Sequence, residues 1–302
     1  MDKILITGGS GLLGSNIAKL AGSQFEVYAT YFHNKVFLKD VNFLGIDLTD
    51  KEALKQVREI KPNFIIHSAA ATNIDYCEEN PQEAHRHNVL ASRYMAEMAK
   101  EIGAYFIYIS TDCVFDGKKG NYTEEDKVGP INIYGETKLE GERQVLDLYS
   151  SSCIVRTNIY GWNKLNKFSL AEWMIAKLSQ GNELPGFRDV LFSPILVNDL
   201  TKILFKLYEK KYPGILHVGA KELCSKLDFA YKIAEVFSFD KNYIKSVDYK
   251  DIGLKAPRGQ NMSFNISKAQ EVLSEELPDI RSGLKKMKQL QEEKYVDELK
   301  NG

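Results

Sequence analysis

The chain has little cysteine, and what it has is dispersed. Cys77, Cys113, Cys153 and Cys224 are scattered through 302 residues with no Cys-x-x-Cys pair. That spacing argues against a disulfide frame and a zinc site, and for reduced thiols in a cytoplasm. No apolar run is long enough to span a membrane. Neither charge is in excess: 40 Lys and Arg against 41 Asp and Glu leave a net charge of −1. No global field therefore points to nucleic acid or to an anionic membrane. Repeats and low-complexity tracts are missing too. The N-terminus enters an apolar strand pattern at once, without a basic region and cleavage site, so no signal peptide is expected. What remains is an ordinary profile, 44% hydrophobic and 27% charged. The length suffices for one large domain or two modest ones.

Apolar runs alternate with helical periodicity through the first half of the chain. Strands are expected at Lys3 to Thr7, Phe25 to Thr30, Phe43 to Ile46, Asn63 to His67, Tyr105 to Ser110 and Cys153 to Arg156. Helices are expected from Leu12 to Ala21, through Ala53 to Ile60, from Pro81 through Ile102, and from Tyr134 to about Tyr149. Alternation of this kind predicts a doubly wound parallel sheet, α/β in class, covered on both faces. After Thr157 the pattern is less regular. Helices are expected at Ser169 to Ser179, Val197 to Tyr208, Leu227 to Phe237 and Ile280 to Lys294, with a strand at Ile215 to Val218. Residues 1–160 then form a dinucleotide-binding domain and 161–302 a smaller substrate domain, with 195–212 packing back on the first sheet. The tail from Asp297 to Gly302 reads as frayed.

The first strand runs into Thr7-Gly8-Gly9-Ser10-Gly11-Leu12-Leu13-Gly14, which opens the first helix. Glycines here allow a tight turn and close approach of backbone to a pyrophosphate. The helix N-terminus supplies free N–H groups and the positive end of its dipole. The strand–loop–helix context reads as dinucleotide binding. Asp47, ending the third strand, can accept from an adenine amino group or simply cap the next helix. Leu48 can cover the adenine face. Ala69, Ala70 and Ala71 after the fourth strand let a cofactor lie close to the backbone, or serve close packing alone. An NAD site commonly has an acid at the end of the second strand for the ribose 2′-hydroxyl. The turn from Tyr31 to Lys35 has none. His33 and Lys35 there suit a 2′-phosphate, so NADP is favoured, with NAD as the alternative.

Tyr134 and Lys138 stand at i and i+4, on one face of the predicted helix. A cation beside a phenol favours the phenolate and lowers its pKa, making the tyrosine a usable proton donor. Thr111 ends the fifth strand, and doubly wound topology brings it to the same sheet edge as the glycine turn. Thr111 and Tyr134 can then hydrogen-bond a substrate carbonyl, with Lys138 beside them and the nicotinamide near.

These residues resemble the extended short-chain dehydrogenase/reductases, and most closely their dTDP-4-dehydrorhamnose reductase branch. Ser110-Thr111-Asp112-Cys113-Val114-Phe115-Asp116-Gly117 is similar to that branch's Ser-Thr-Asp-Tyr-Val-Phe-Asp-Gly. Tyr134-Gly135-Glu136-Thr137-Lys138-Leu139-x-Gly141-Glu142, then Arg156-Thr157, Pro257-Arg258 and Leu277-Pro278-Asp279, follow the branch as well. The resemblance implies reduction of a nucleotide-linked 4-keto-6-deoxy sugar. Asp112 would bind sugar hydroxyls, Arg258 the nucleotide diphosphate, and Asn88 would brace the active site. Cys113 stands where the branch has Tyr, and Asn158 and Ile159 stand where it has an aromatic sugar contact. Cys113 also matches the cysteine with which epimerase-reductases of the GDP-fucose synthase type exchange a substrate proton. The beta subunit of methionine adenosyltransferase, a regulatory partner that binds NADP, resembles the same branch. The implied partner is a nucleotide sugar, with a homodimer as an open option.

His67, His85 and His87 do not repeat a metal-ligand spacing, so no metal is expected. Trp162 and Trp173 suit a substrate cover or a core. Arg188-Asp189 with Ser193-Pro194 falls where this resemblance places the substrate pocket.

Overall fold

The computed structural model describes residues 1–251, 253 and 255–301. Its centre is a parallel sheet. The strands are β1 (Lys3–Thr7), β2 (Glu26–Tyr31), β3 (Val41–Gly45), β4 (Phe64–His67), β5 (Tyr105–Thr111), β6 (Cys153–Thr157) and an edge strand, Gly214–Val218. Their order is edge strand, β6, β5, β4, β1, β2, β3, with every neighbouring pair parallel. The chain steps one way from β1 to β3 and the other way from β4 onward. That reversal opens a crevice at the carboxyl ends of β1 and β4.

Successive strand residues point to opposite faces, and both faces are apolar. Ile4 and Ile6 of β1 join one core with α1 (Leu12–Ala21) and with Val197–Lys210. Leu5 and Ile65 join the other with Met95, Ala96 and Ala99 of the helix Ala91–Ile102. Phe205 and Tyr208 of the helix Val197–Lys210 lie against Phe25, at ring-centroid separations of 5.4 and 5.6 Å. Phe64 is fully buried in this core, and its truncation to Ala would cost about 3–5 kcal/mol. Among the described residues, the second half of the chain adds three two-stranded sheets and further helices. No helix among the described residues is long and apolar enough to cross a membrane.

Three local features differ from the sequence reading. The helix opened by Pro81 contains a π-helical turn at Arg86–Leu90, which displaces its polar side chains toward the sheet edge. A short helix absent from the periodicity, Ile74–Glu79, follows β4, and the Asn73 side chain caps it by accepting from Tyr76 N. The tail expected to fray is a helix, Tyr295–Asn301. Its Leu299 is buried, the Tyr295 hydroxyl donates to Asn16 Oδ1 at 2.8 Å, and Glu298 pairs with Lys19. Of that expectation, Gly302 lies outside the described residues.

Candidate active site

The glycine turn is built as its spacing implies. Gly8 has φ +69°, and a Cβ there would come within 2.9 Å of Ala69 Cα, so the backbones of the β1 and β4 turns nearly touch. Gly11 caps α1 with no side chain over the helix end, which leaves its N–H groups facing the crevice. Thr7 Oγ1 accepts from Ser68 N and Ala69 N, at 3.1 Å each, and so ties the two turns together. Ser10, Leu12, Leu13 and Gly14 continue this turn into α1. The buried Asn88 fixes the β4 turn. Its Oδ1 accepts from Ala71 N at 2.8 Å, and its Nδ2 donates to Ala71 O and to Thr137 Oγ1.

Just after β3, Asp47 is already engaged. Its Oδ1 accepts from Thr49 N and Oγ1, and its Oδ2 pairs with Arg86 Nη2 at 2.9 Å. These partners hold its carboxyl below the usual range against the opposing effect of burial. These contacts do not make it a helix cap: the next helix, Lys55–Ile60, has Leu54 at its N-cap and no side-chain cap. Leu48 is buried. Beyond β2, Tyr31 is half-buried while His33 and Lys35 are exposed. The Phe32 ring lies 3.9 Å from the His33 ring and 5.9 Å from that of His87.

Thr111, Tyr134 and Lys138 come together where the helix Ile133–Leu148 starts against β5. Asn132 caps that helix by accepting from Gly135 N at 2.8 Å, and its Nδ2 donates to Pro257 O at 2.9 Å. Gly135 is required here, because a Cβ would lie 2.1 Å from Cys113 O. The helix therefore seats directly on the turn after Thr111. Tyr134 comes to rest beside Thr111 and Cys113. Burial pushes its hydroxyl up, the Cys113 thiol adds to this, and the Thr111 hydroxyl opposes it.

Lys138 is buried, and its Nζ donates to Ile109 O at 2.7 Å, 3.9 Å from the Tyr108 ring centre. Burial brings its pKa down to about 7. The structure corrects the simple reading of the Tyr134–Lys138 pair in one respect. The helix does bring the two residues onto one face, but the ammonium is turned to a strand carbonyl, and the tyrosine hydroxyl is raised rather than lowered.

Asp112 is buried and held by Thr111 Oγ1 at 3.0 Å, Asn158 Nδ2 at 2.7 Å and Cys113 Sγ at 3.5 Å. Burial raises its carboxyl while these donors act against the rise. The Cys113 thiol is likewise pushed up by burial and by Asp112. His217 turns away from it, to Tyr122 O at 2.8 Å and to Arg156 at 3.3 Å. Burial keeps this imidazole neutral, with a pKa of about 3. Cys113 and His217 therefore do not pair with each other.

Asp112, Cys113 and Asn158 line a cleft together with Phe187, Tyr249 and Arg258. Arg258 is not free: both arms of its guanidinium hold Asp75. Trp162 is a core residue that donates to Met287 O at 2.8 Å, and Trp173 packs against the same core. Arg188 pairs with Asp248, and Asp189 accepts from Tyr249 N and Gln260. Neither lines the cleft; their neighbours Phe187 and Val190 do.

Sequence reasoning passed over Asn132, Asp75 and Lys226. Asn132 carried a signal, since Asn directly before a helical run is a capping pattern. Asp75 and Lys226 had none, because only folding brings them to the cleft.

The chain is 31% identical to methionine adenosyltransferase 2 subunit beta of Mus musculus, over 94% of this chain and 86% of that protein. It is 30% identical to a dTDP-4-dehydrorhamnose reductase of Aggregatibacter actinomycetemcomitans, over 95% of this chain and 99% of that one. Among solved structures it matches the dTDP-4-dehydrorhamnose reductase of Bacillus anthracis in complex with NADP, with TM-score 0.84 and 29% identity, over 95% and 98% of the two chains. The description of one family, RmlD substrate binding domain, fits residues 1–292, and the chain belongs to that family.

Proposed function

We propose that the protein is an NADPH-dependent reductase of a nucleotide-linked 4-keto-6-deoxy sugar. The observation that carries this reading is the seating of Tyr134 beside Thr111 and Cys113, the last of which lines the cleft together with Asp112. The fit of the dinucleotide rests on the bare N-terminus of α1 and on the turn at Gly8, which a Cβ would block. Gly8 to Gly14 and Ala69 to Ala71 would hold the pyrophosphate and the inner ribose. His33 and Lys35, exposed beyond β2, would meet a 2′-phosphate. Leu48 would cover the adenine, with Asp47 beside it. The Bacillus anthracis relative, solved with NADP, supports this choice of cofactor.

A bound dinucleotide supplies hydride to the substrate carbonyl carbon. Thr111 and Tyr134 orient the carbonyl oxygen, and Tyr134 gives its proton to that oxygen. Because burial raises the Tyr134 hydroxyl, the residue stays protonated across neutral pH and is a donor by default. Lys138 would hold the nicotinamide ribose. Asp112, oriented by Asn158, would accept a sugar hydroxyl, and Arg258 would face the diphosphate. Residues 1–160 thus serve the cofactor and 161–302 mainly the substrate.

The test is a panel of 4-keto nucleotide sugars assayed with NADPH and NADH. Turnover is expected, with Tyr134→Phe lowering kcat by about 10²–10⁴-fold and leaving NADPH affinity within about twofold. NADPH binding without turnover on any member, together with a co-purifying synthetase, would overturn this reading. It would favour instead a non-catalytic, NADP-binding regulatory subunit.

A further inference from the structure

Two cationic residues line the cleft, Arg258 and Lys226. They differ in what neutralises them. Arg258 has both guanidinium arms on Asp75. Lys226 opens the helix Lys226–Phe237 directly after the Ser225 capping box, and its backbone N donates to Val190 O at 3.0 Å. The start of that helix is therefore fixed, and the side chain has a defined origin on the cleft wall. The side chain is half-buried, and its Nζ lies 5.8 Å from the centre of the Phe187 ring. Among the described residues the ammonium has no hydrogen-bond acceptor and no carboxylate within ion-pair distance. The nearest acid in the lining, Asp112, already accepts from Thr111, Cys113 and Asn158. Burial lowers the Lys226 pKa, while the fields of Asp112 and Cys113 act to keep it charged. An ammonium drawn partly out of water and unpaired is costly unless something else supplies the counter-charge.

We infer that Lys226 is the anion contact of this cleft, taking an anionic group of the substrate between Asp112 and Arg258. Two sources share that chemistry: the phosphate that joins the sugar to its nucleotide, or a carboxylate on the sugar itself. The inference rests on the nucleotide-sugar reading above and sharpens it. Arg258, drawn off by Asp75, cannot by itself balance a diphosphate, and the field of Lys226 reaches Asp112 and Cys113.

The protein, saturated with NADP, is titrated calorimetrically with dTDP, UDP, GDP and CDP and with the matching monophosphates, as wild type and as Lys226→Met. If the sugar-linked phosphate is the group, Lys226→Met weakens the best diphosphate about tenfold or more. The monophosphate then changes by less than about twofold, and Lys226→Arg recovers most of the loss. If a sugar carboxylate is the group, diphosphate affinity is unchanged. Wild type then prefers UDP-glucuronate to UDP-glucose by about tenfold, and Lys226→Met loses that preference. NADPH affinity and melting temperature check that the variant is folded, and Lys226→Gln is read the same way should Met not fold. A Lys226→Met protein that matches wild type with every ligand overturns the inference alone. A wild type that binds none of these nucleotides overturns the nucleotide-sugar reading, and the inference with it.

Discussion

Arg258 and Asp75 clasp each other with two parallel contacts, Nη1 to Oδ1 at 3.2 Å and Nη2 to Oδ2 at 3.0 Å. Asp75 belongs to the short helix Ile74–Glu79 after the β4 turn, and Arg258 to a turn that lines the cleft. Asp75 also accepts from Ala256 N, and Lys255 pairs with Glu79. The clasp thus links the turn that would receive the cofactor to the wall that would receive the nucleotide.

Arg258→Met is expected to raise KM for the nucleotide sugar about tenfold or more, with kcat changed less. Asp75→Asn should raise KM by a smaller factor, because it leaves Arg258 present but unaligned. Steady-state kinetics on both variants check this. An Asp75→Asn protein with a larger KM effect than Arg258→Met would show that the acid itself meets substrate.

Lys138 gives a pH signature. Its folded pKa, about 7, lies below its ordinary value of 10.5. Between those values the unfolded chain binds the extra proton, so this group makes folding stability rise with pH from about 7 to 10.5. Lys138→Met removes that rise. Denaturant titrations across this range should therefore shift in favour of wild type as pH increases. Parallel curves for the two proteins would refute the assignment.

His67 and His217 act on the acid side. Both are fully buried and neutral, with pKa values of about 3 against 6.5 for an ordinary imidazole. His67 lies between Thr7 Oγ1 at 2.8 Å and Ser92 Oγ at 3.1 Å. Between pH 6.5 and 3 the unfolded chain takes up protons that the folded one refuses, so stability falls as pH drops. Each residue contributes a slope approaching about 1.4 kcal/mol per pH unit. Thermal melts from pH 7 to 4 should show a shallower fall for His217→Gln than for wild type.

Glu142 and Arg156 form a buried ion pair at 2.7 Å, with side-chain exposures of 2% and 3%. Glu142 lies on the helix of Tyr134 and also accepts from Ser110 Oγ, the residue before Thr111. Glu142→Gln leaves the guanidinium without its charge partner, a loss of about 3–5 kcal/mol, seen as a melting-temperature drop of order 10 °C. The Glu142→Met, Arg156→Met double variant should recover much of this. If Glu142→Gln melts like wild type, the pair does not secure this helix on the sheet.

Replacing His33 and Lys35 together by Ala and Ser should weaken NADPH by about tenfold and leave NADH nearly unchanged. Competitive binding of the two cofactors reads the ratio. An unchanged ratio would place the 2′-phosphate elsewhere.

Much of the molecule is legible in the chain alone. The strands β1 to β6, the glycine turn and the helix of Tyr134 follow from apolar runs, period and glycine spacing, since these are local signals. They set the parallel sheet, and the sheet sets which strand ends share an edge. The motif from Ser110 to Gly117 and that from Tyr134 to Glu142 are contiguous, so the family too could be read from sequence. What only the tertiary structure decided are the contacts between segments far apart in the chain. Asn158 reaches Asp112, Asp75 holds Arg258, and Lys226 enters the cleft from a helix that carries no motif. The tail became a helix because Asn16 and Lys19 receive it, which no local propensity foretells. The direction of the Tyr134 and Lys138 shifts belongs here as well. Spacing along a helix puts two side chains on one face, but burial and the nearest acceptor, Ile109 O, decide where the ammonium points and which protons are held.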